Sequence, residues 1–156
     1  MPTFATCLWF DGNAEEAVKF YASIFKDVEI KATSYYGESG PGKSGSVLAI
    51  EFAMMGQNFL ALNGGPMYQF TPATSFMINC DSQSEVDFYW DQLAAGGQNM
   101  QCGWLQDKFG VSWQVVPKEL PDLLTKGTKE QIERTMQAMM EMTKLDIRKL
   151  QHAHHG

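Results

Sequence analysis

The chain has 156 residues, a net charge of −6 and 44% hydrophobic residues. A chain of this length forms one domain or two small repeated modules that share a core. The negative charge argues against a nucleic-acid or anionic-membrane partner. No apolar segment approaches the roughly 20 residues that span a bilayer, and the N-terminus lacks the regions of a signal peptide. Because its three cysteines (Cys7, Cys80 and Cys102) share no close spacing, we expect reduced thiols in a cytoplasmic protein.

The first half of the chain predicts a strand, a helix and three further strands. Residues 4–10 form an aromatic strand, and Asn13 fits a helix cap to which the acid Glu16 bonds back. The apolar helix face that follows has the spacing i, i+3, i+4, i+7, and its members are Ala17, Phe20, Tyr21 and Ile24. Strands are then predicted at 28–36, 46–55 and 58–62, before the breaker Asn63-Gly-Gly-Pro66.

Residues 37–44 match the P-loop pattern letter for letter, as Gly-Glu-Ser-Gly-Pro-Gly-Lys-Ser. That motif binds phosphate only between a strand and a helix, because the helix N-terminus must face the phosphates. Here a β-rich segment without a helix cap follows. We therefore interpret residues 37–45 as a loop that joins two strands.

The second half of the chain repeats the pattern of the first. A strand at 73–80 precedes a capping box at Ser82-Gln-Ser-Glu85, and the turn glycines Gly56 and Gly110 correspond. The helix face recurs at a constant offset of 69 residues, as Val86, Tyr89, Trp90 and Leu93. Strands near 99–106 and 111–116 complete two copies of a βαβββ module within one domain, 1–156. Module 1 is predicted at about 1–66, module 2 at about 73–117, and a helical extension at about 118–152.

The extension begins with a third capping box, Thr128-Lys-Glu-Gln131. An apolar face continues through Ile132, Met136, Met139, Met140, Thr143 and Ile147. We interpret it as an amphipathic helix that packs on the domain or on a dimer partner, and the alternative is a methionine-rich binding groove. The three histidines, His152, His154 and His155, are expected in a solvent-exposed, fraying tail.

Four segments resemble the PhnB-like branch of the vicinal oxygen chelate superfamily, which includes glyoxalase I, bleomycin-resistance proteins and extradiol dioxygenases. They are Leu8–Ala17, Leu62–Pro66, Cys102–Pro117 and Met142–Ile147. The branch is often labelled 3-demethylubiquinone-9 3-methyltransferase. The resemblance implies an α+β fold with a curved, eight-stranded mixed sheet, helices on its convex side, a concave cavity and a homodimer that completes the cavity.

The superfamily's metal ligands come from the first and closing strands of each module, so the resemblance can be tested residue by residue. The first-strand window holds Phe4, Ala5 and Thr6 in module 1, and Thr74 and Ser75 in module 2. The closing-strand position, four residues after the turn glycine, holds Leu60 and Gln114. None is an imidazole or a carboxylate, which catalytic metals favour. We predict no metal and no other cofactor.

The cavity is expected to be apolar with a few hydroxyl and amide groups, and to suit a neutral, partly aromatic ligand. By strand parity, Leu8, Leu62 and Ser112 are predicted to share the concave face with Gln114. Trp104 would either stack on the ligand or pack in the core. The predicted lining residues are Thr6, Leu8, Leu60, Leu62, Ser75, Trp104 and Gln114.

Three functions follow from these features. The first is a metal-free protein that binds a small molecule, by sequestration or sensing. The second is an enzyme of unassigned reaction, including the methyl transfer of the family label, although no Rossmann-type glycine-rich turn is present. The third is an interaction module that uses the methionine-rich helix. No Cys–His pair is expected on the domain itself, because the histidines are confined to its last five residues.

Overall fold

Eight strands form two four-stranded mixed sheets, one in each of two units, Met1–Phe70 and Thr71–Gly156. The structure is a computed structural model and describes all residues, 1–156. Each unit contains one βαβββ module, and three further helices follow in the second unit. The predicted α+β class and the two modules with C-terminal helices are confirmed. No helix is both long and apolar enough to cross a bilayer.

The first unit has the strand order β1-β4-β3-β2, in which β1 and β4 are parallel and the other pairs antiparallel. Its elements are β1 Thr6–Phe10, α1 Ala14–Ile24, β2 Val28–Tyr35, β3 Val47–Met54 and β4 Gln57–Asn63. The helix packs on β3 and β4. It buries Val18 in place of the predicted Phe20, which is only half-buried, and otherwise buries the predicted face.

The second unit repeats this arrangement with the strand order β5-β8-β7-β6. Its elements are β5 Ser75–Cys80, α2 Gln83–Ala94, β6 Gln98–Asn99, β7 Trp104–Gln106 and β8 Ser112–Pro117. Val86, Trp90 and Leu93 of α2 are buried, as the periodicity predicts, whereas the fourth predicted residue, Tyr89, is only half-buried. The helix packs on all three of β5, β7 and β8.

The three predicted capping boxes differ in outcome. Thr128 makes both bonds of its box. Ser82 accepts from the backbone N–H of Glu85 at 3.2 Å, which is the first bond of its box. The Glu85 carboxylate accepts from Asp81 N at 2.7 Å and not from the N–H of Ser82, so the second bond is displaced by one residue. The prediction for Asn13 is wrong, because its side chain makes no capping bond. Asn63 at the end of β4 replaces it, since its Oδ1 accepts from Ala14 N at 2.9 Å.

The C-terminal extension folds as three helices: α3 Leu120–Thr125, α4 Lys129–Met140 and α5 Ile147–His155. The single long amphipathic face predicted through Ile147 is therefore interrupted after Met140. The interruption places Leu145 in a buried cluster with Val116, Leu120 and Leu150. The segment between α4 and α5 also accepts two backbone bonds from β7's leading turn, Cys102 N to Met142 O and Gly103 N to Thr143 O, both 2.8 Å.

The expectation of a fraying histidine tail is wrong, although His152 and His155 are solvent-exposed as expected. His152, His154 and His155 belong to α5, whose last carbonyls are bonded. The Arg134 guanidinium donates to Ala153 O at 2.9 Å and to His154 O at 3.1 Å, and His154 Nε2 lies 2.8 Å from Lys126 O. A guanidinium at a helix C-terminus satisfies orphan carbonyls and complements the helix dipole, so this end is held in place.

Candidate ligand-binding site

One face of the second unit's sheet carries a polar group of side chains. The strand register places Ser75 beside Ser112, and Met77 beside Gln114. Trp104 lies on the other side of Gln114. Neighbouring residues across a sheet point to the same face, so these five side chains share one face. The alternate residues of β7 and β8, such as Leu105 and Val115, are fully buried and lie on the opposite face, whereas Met77 is 54% exposed.

The polar group contains one internal hydrogen bond and several unused hydrogen-bonding atoms. Gln114 Nε2 donates to Ser75 Oγ at 3.0 Å. Ser112 Oγ is buried and has no hydrogen-bond partner. The amide oxygen of Gln114 also forms no hydrogen bond. Hydroxyl and amide groups of this kind bind and orient a neutral polar atom, because each can donate or accept without a net charge.

The first unit carries a less polar version of this face. Cys7 lies beside Leu60, and Trp9 beside Leu62, so Leu60 and Leu62 share one face as predicted. Thr6 pairs with Phe59 and Leu8 with Ala61, which puts both on the other face. Leu8, Phe59 and Ala61 are all buried. The prediction that Leu8 shares a face with Leu62 is therefore wrong, and Thr6 is misplaced for the same reason.

The error comes from a one-residue difference between the two strand-to-helix turns. Three residues separate β1 from α1, whereas two separate β5 from α2. The offset of 69 that relates the helices therefore becomes 70 for the first strands. Backbone bonds support this register: Gly64 N donates to Phe10 O at 3.0 Å, and Lys118 N donates to Cys80 O at 2.8 Å. With a side-chain period of two, one residue exchanges the faces of a strand.

The corrected register identifies the pairs at which a superfamily metal would find its ligands. They are Cys7 with Leu60 in the first unit and Met77 with Gln114 in the second. Sequence reasoning missed Cys7 and Met77, because the sequence gives no sign that the turn after β1 is one residue longer than the turn after β5. Burial raises the pKa of the Cys7 thiol, which makes the thiolate ligand less available. No group of three or more His, Cys, Asp or Glu side chains is placed to hold a metal ion. These residues do not fit a divalent catalytic metal.

Each unit also has a surface pocket at the ends of its strands and helices, which periodicity could not reveal. The first, of about 380 Å³, lies among the turn after β1, the loop between β2 and β3 and the turn after β4. Its wall includes residues of the P-loop-like segment, which joins two antiparallel strands as predicted. The second, of about 480 Å³, lies where α2 and α5 begin.

Known proteins resemble this chain in sequence and in fold. A sequence model of the family described as 3-demethylubiquinone-9 3-methyltransferase matches residues 2–116. The crystallised "putative 3-demethylubiquinone-9 3-methyltransferase, PhnB protein" from Bacillus cereus is 38% identical, with a TM-score of 0.67, and the match covers 74% of this chain and 99% of that one. Among the curated proteins, no match was found.

Two more distant structures share the fold alone. Protein PA1353 from Pseudomonas aeruginosa is 22% identical, with a TM-score of 0.62, over 76% of this chain and 98% of that one. The fosfomycin resistance protein FosX from Listeria monocytogenes is 17% identical, with a TM-score of 0.55, over 80% of this chain and 98% of that one.

Proposed function

This chain belongs to the 3-demethylubiquinone-9 3-methyltransferase family, a PhnB-like branch of the vicinal oxygen chelate superfamily, and from that premise we propose that it is a metal-free protein that binds a small molecule by sequestration or sensing. The ligand is neutral and partly aromatic, and it carries a carbonyl or hydroxyl oxygen. It binds at the polar group on the open face of the second unit.

The observation that carries this proposal is the Ser75–Gln114 hydrogen bond beside Ser112. The bond orients the Gln114 amide and leaves one N–H and the carbonyl oxygen for a ligand. Trp104, next to Gln114 in the register, offers a ring face for stacking. The face carries no charged side chain at these positions, so a neutral ligand loses less hydration energy on binding than an ion would.

The second candidate is an enzyme, and the methyl transfer of the family's printed description is its most specific form. The description of the Bacillus cereus relative favours this candidate. The polar group offers no strong base or nucleophile, so any catalysis here would act by binding and orienting two substrates.

We also propose a cytoplasmic homodimer, whose partner completes the ligand cavity. Large apolar side chains stay exposed in each unit, among them Ile30, Met67 and Met77, and they support an interface with a second subunit. Sedimentation analysis tests this part, and a protein that stays monomeric at micromolar concentration would contradict it.

The test of the binding site is a thermal-shift screen of aromatic and quinone-like compounds, followed by titration calorimetry with the best compound. Gln114→Leu removes the amide at nearly constant volume and should weaken binding about three- to tenfold, as the loss of one hydrogen bond does. Gln57→Leu is the matched control, since Gln57 is exposed at the start of β4. Equal affinities in both variants would contradict the site.

Two measurements separate the candidate functions. Stoichiometric zinc, nickel or iron in tag-free protein would overturn the metal-free proposal. A melting shift with S-adenosylmethionine, and none with the aromatic compounds, would favour methyl transfer instead.

A further inference from the structure

The two modules provide an internal comparison at the end of their first strands. Gly64 N donates to Phe10 O, and Lys118 N donates to Cys80 O in the same way. Each acceptor is the last residue of its strand and is followed by an aspartate, Asp11 or Asp81. Asp11 therefore corresponds to Asp81, and Gly64 to Lys118.

In module 2 an ammonium group lies beside the aspartate that follows the first strand. Lys118 Nζ lies 2.6 Å from Asp81 Oδ1. The hydrogen bond and the charge of Asp81 raise the pKa of Lys118, as expected for an ammonium held by a carboxylate.

In module 1 the corresponding carboxylate has no cation. Asp11 forms no ion pair or hydrogen bond. Gly64, which occupies the position of Lys118 in module 1, has no side chain that could pair with Asp11. A Cβ atom on Gly64 would lie 2.4 Å from the Trp9 ring, so no side chain fits there without displacing the indole. The space beside Asp11 is part of the pocket of about 380 Å³.

The pocket is framed by hydrogen bonds that join its three walls. Asn63 Oδ1 accepts from Ala14 N at 2.9 Å, and Asn63 Nδ2 donates to Val47 O at 3.1 Å. The Tyr36 hydroxyl donates to Asn63 O, and the loop backbone at Gly42 lies directly against the Tyr36 ring. A pocket that is fixed before binding costs little ordering entropy when a ligand enters.

The charges of the pocket have both signs and are unpaired. Asp11 and Glu15 contribute carboxylates, and Lys43 of the loop contributes an ammonium group. None of the three charged side-chain groups takes part in an ion pair or a hydrogen bond within the protein, although the backbone carbonyl of Lys43 accepts from Ser46. Pro41, Pro66 and Val47 add apolar surface to the same pocket.

We propose that this pocket binds a zwitterion of the amino-acid class, whose ammonium group takes at Asp11 the place that Lys118 Nζ takes at Asp81. The acid group of the ligand pairs with Lys43, and its side chain contacts the apolar part of the wall. The volume lies in the range of small-molecule sites. The site is separate from the open face of the second unit and does not depend on the function proposed there.

The experiment uses the full chain and the common L-amino acids as probes, each at millimolar concentration, with binding followed by ligand-observed NMR and then calorimetry. Asp11→Asn should weaken the best probe about tenfold, because it removes a charge-assisted hydrogen bond. Asp81→Asn is the matched control. It removes the corresponding carboxylate of module 2 and should leave the affinity unchanged.

Lys43→Ala tests the other end of the ligand. The wild type should bind the best amino acid more tightly than the amine that lacks its carboxylate, and Lys43→Ala should abolish that preference. The inference is overturned if no amino acid binds, if Asp81→Asn weakens binding as much as Asp11→Asn, or if Lys43→Ala retains the preference. Melting temperatures of the three variants, all changed at exposed positions, show whether each remains folded.

Discussion

Substituting Asp107 should cost the second unit a large part of its stability. The side chain closes the turn between β7 and β8 and is 3% exposed. Its Oδ1 accepts from Phe109 N at 2.9 Å and from Val111 N at 3.1 Å, while its Oδ2 accepts from Trp113 Nε1 at 2.9 Å. Asp107→Ala leaves all three donors without this acceptor.

The magnitude follows from which donors water can reach. Phe109 lies at the half-buried turn, where water can replace the carboxylate, whereas Val111 and Trp113 are buried. An unsatisfied buried donor costs about 1–3 kcal/mol, so two of them should lower the free energy of unfolding by about 4 kcal/mol. Native domains of this size have only about 5–15 kcal/mol in total.

Denaturation in urea, followed by tryptophan fluorescence and circular dichroism, measures the loss. Asp107→Asn keeps one acceptor oxygen but turns an NH₂ group toward Trp113 Nε1, so we expect an intermediate loss of about 2 kcal/mol. Asp122→Ala is the control, since it breaks only the exposed pair with Lys126 and should cost less than about 0.5 kcal/mol. A loss below about 1 kcal/mol in Asp107→Ala would refute the reasoning.

Three further predictions concern the thiol in β5, the C-terminal helix and the P-loop-like segment. Burial, together with the charges of Glu85 and Asp81, raises the pKa of Cys80 from 9.0 to about 11. The unfolded thiol therefore ionises first as the pH rises, and stability should fall by about 1.4 kcal/mol per pH unit across that interval. Cys80→Ala should remove this part of the slope in alkaline denaturation curves, and an unchanged slope would contradict it. Arg134→Ala frees the last carbonyls of α5, so amide exchange should accelerate in that helix and not in β8; acceleration throughout the unit would contradict a local role. Because no helix follows Lys43, ATP should leave the melting temperature unchanged, and a shift that Lys43→Ala abolishes would restore the P-loop reading.

Most of the fold was predictable because its elements have strong periodicity and clear breakers. The duplication was identified by one helix face that recurs 69 residues later, Ala17, Phe20, Tyr21 and Ile24 as Val86, Tyr89, Trp90 and Leu93. All of these residues are buried in the structure except the corresponding pair Phe20 and Tyr89, which is half-buried. The boundaries agree to within a few residues at each strand, except in the short β6 and β7, whose residues alternate poorly.

The errors occurred where tertiary contacts compete with local preference. Asn13 has a good capping side chain, but the Asn63 amide reaches the same helix end from a position 50 residues later in the chain. The histidines were predicted to lie in a fraying tail because the sequence gives no sign that Arg134 would bond to the last turn of α5.

The candidate site was predicted in part. Ser75, Trp104 and Gln114 lie together on one face, as do Leu60 and Leu62 within their own unit. Leu8 and Thr6 were assigned to the wrong face because a turn longer by one residue reverses strand parity. The pocket beside Asp11 depends on bonds between three separate loops, for which sequence periodicity carries no signal.

The C-terminal extension is joined to the second module by the packing of Val116 and by the backbone bonds from Cys102 and Gly103, which has a consequence for domain engineering. The family's sequence model ends at residue 116, inside β8, yet Val116 is buried by Leu120, Leu145 and Leu150 of the extension. The segment that matches the family therefore ends before the segment that folds as one unit. A chimera that exchanged residues 1–117 with those of a relative would separate one hydrophobic core into two halves. The exchangeable piece of this protein runs to the end of α5.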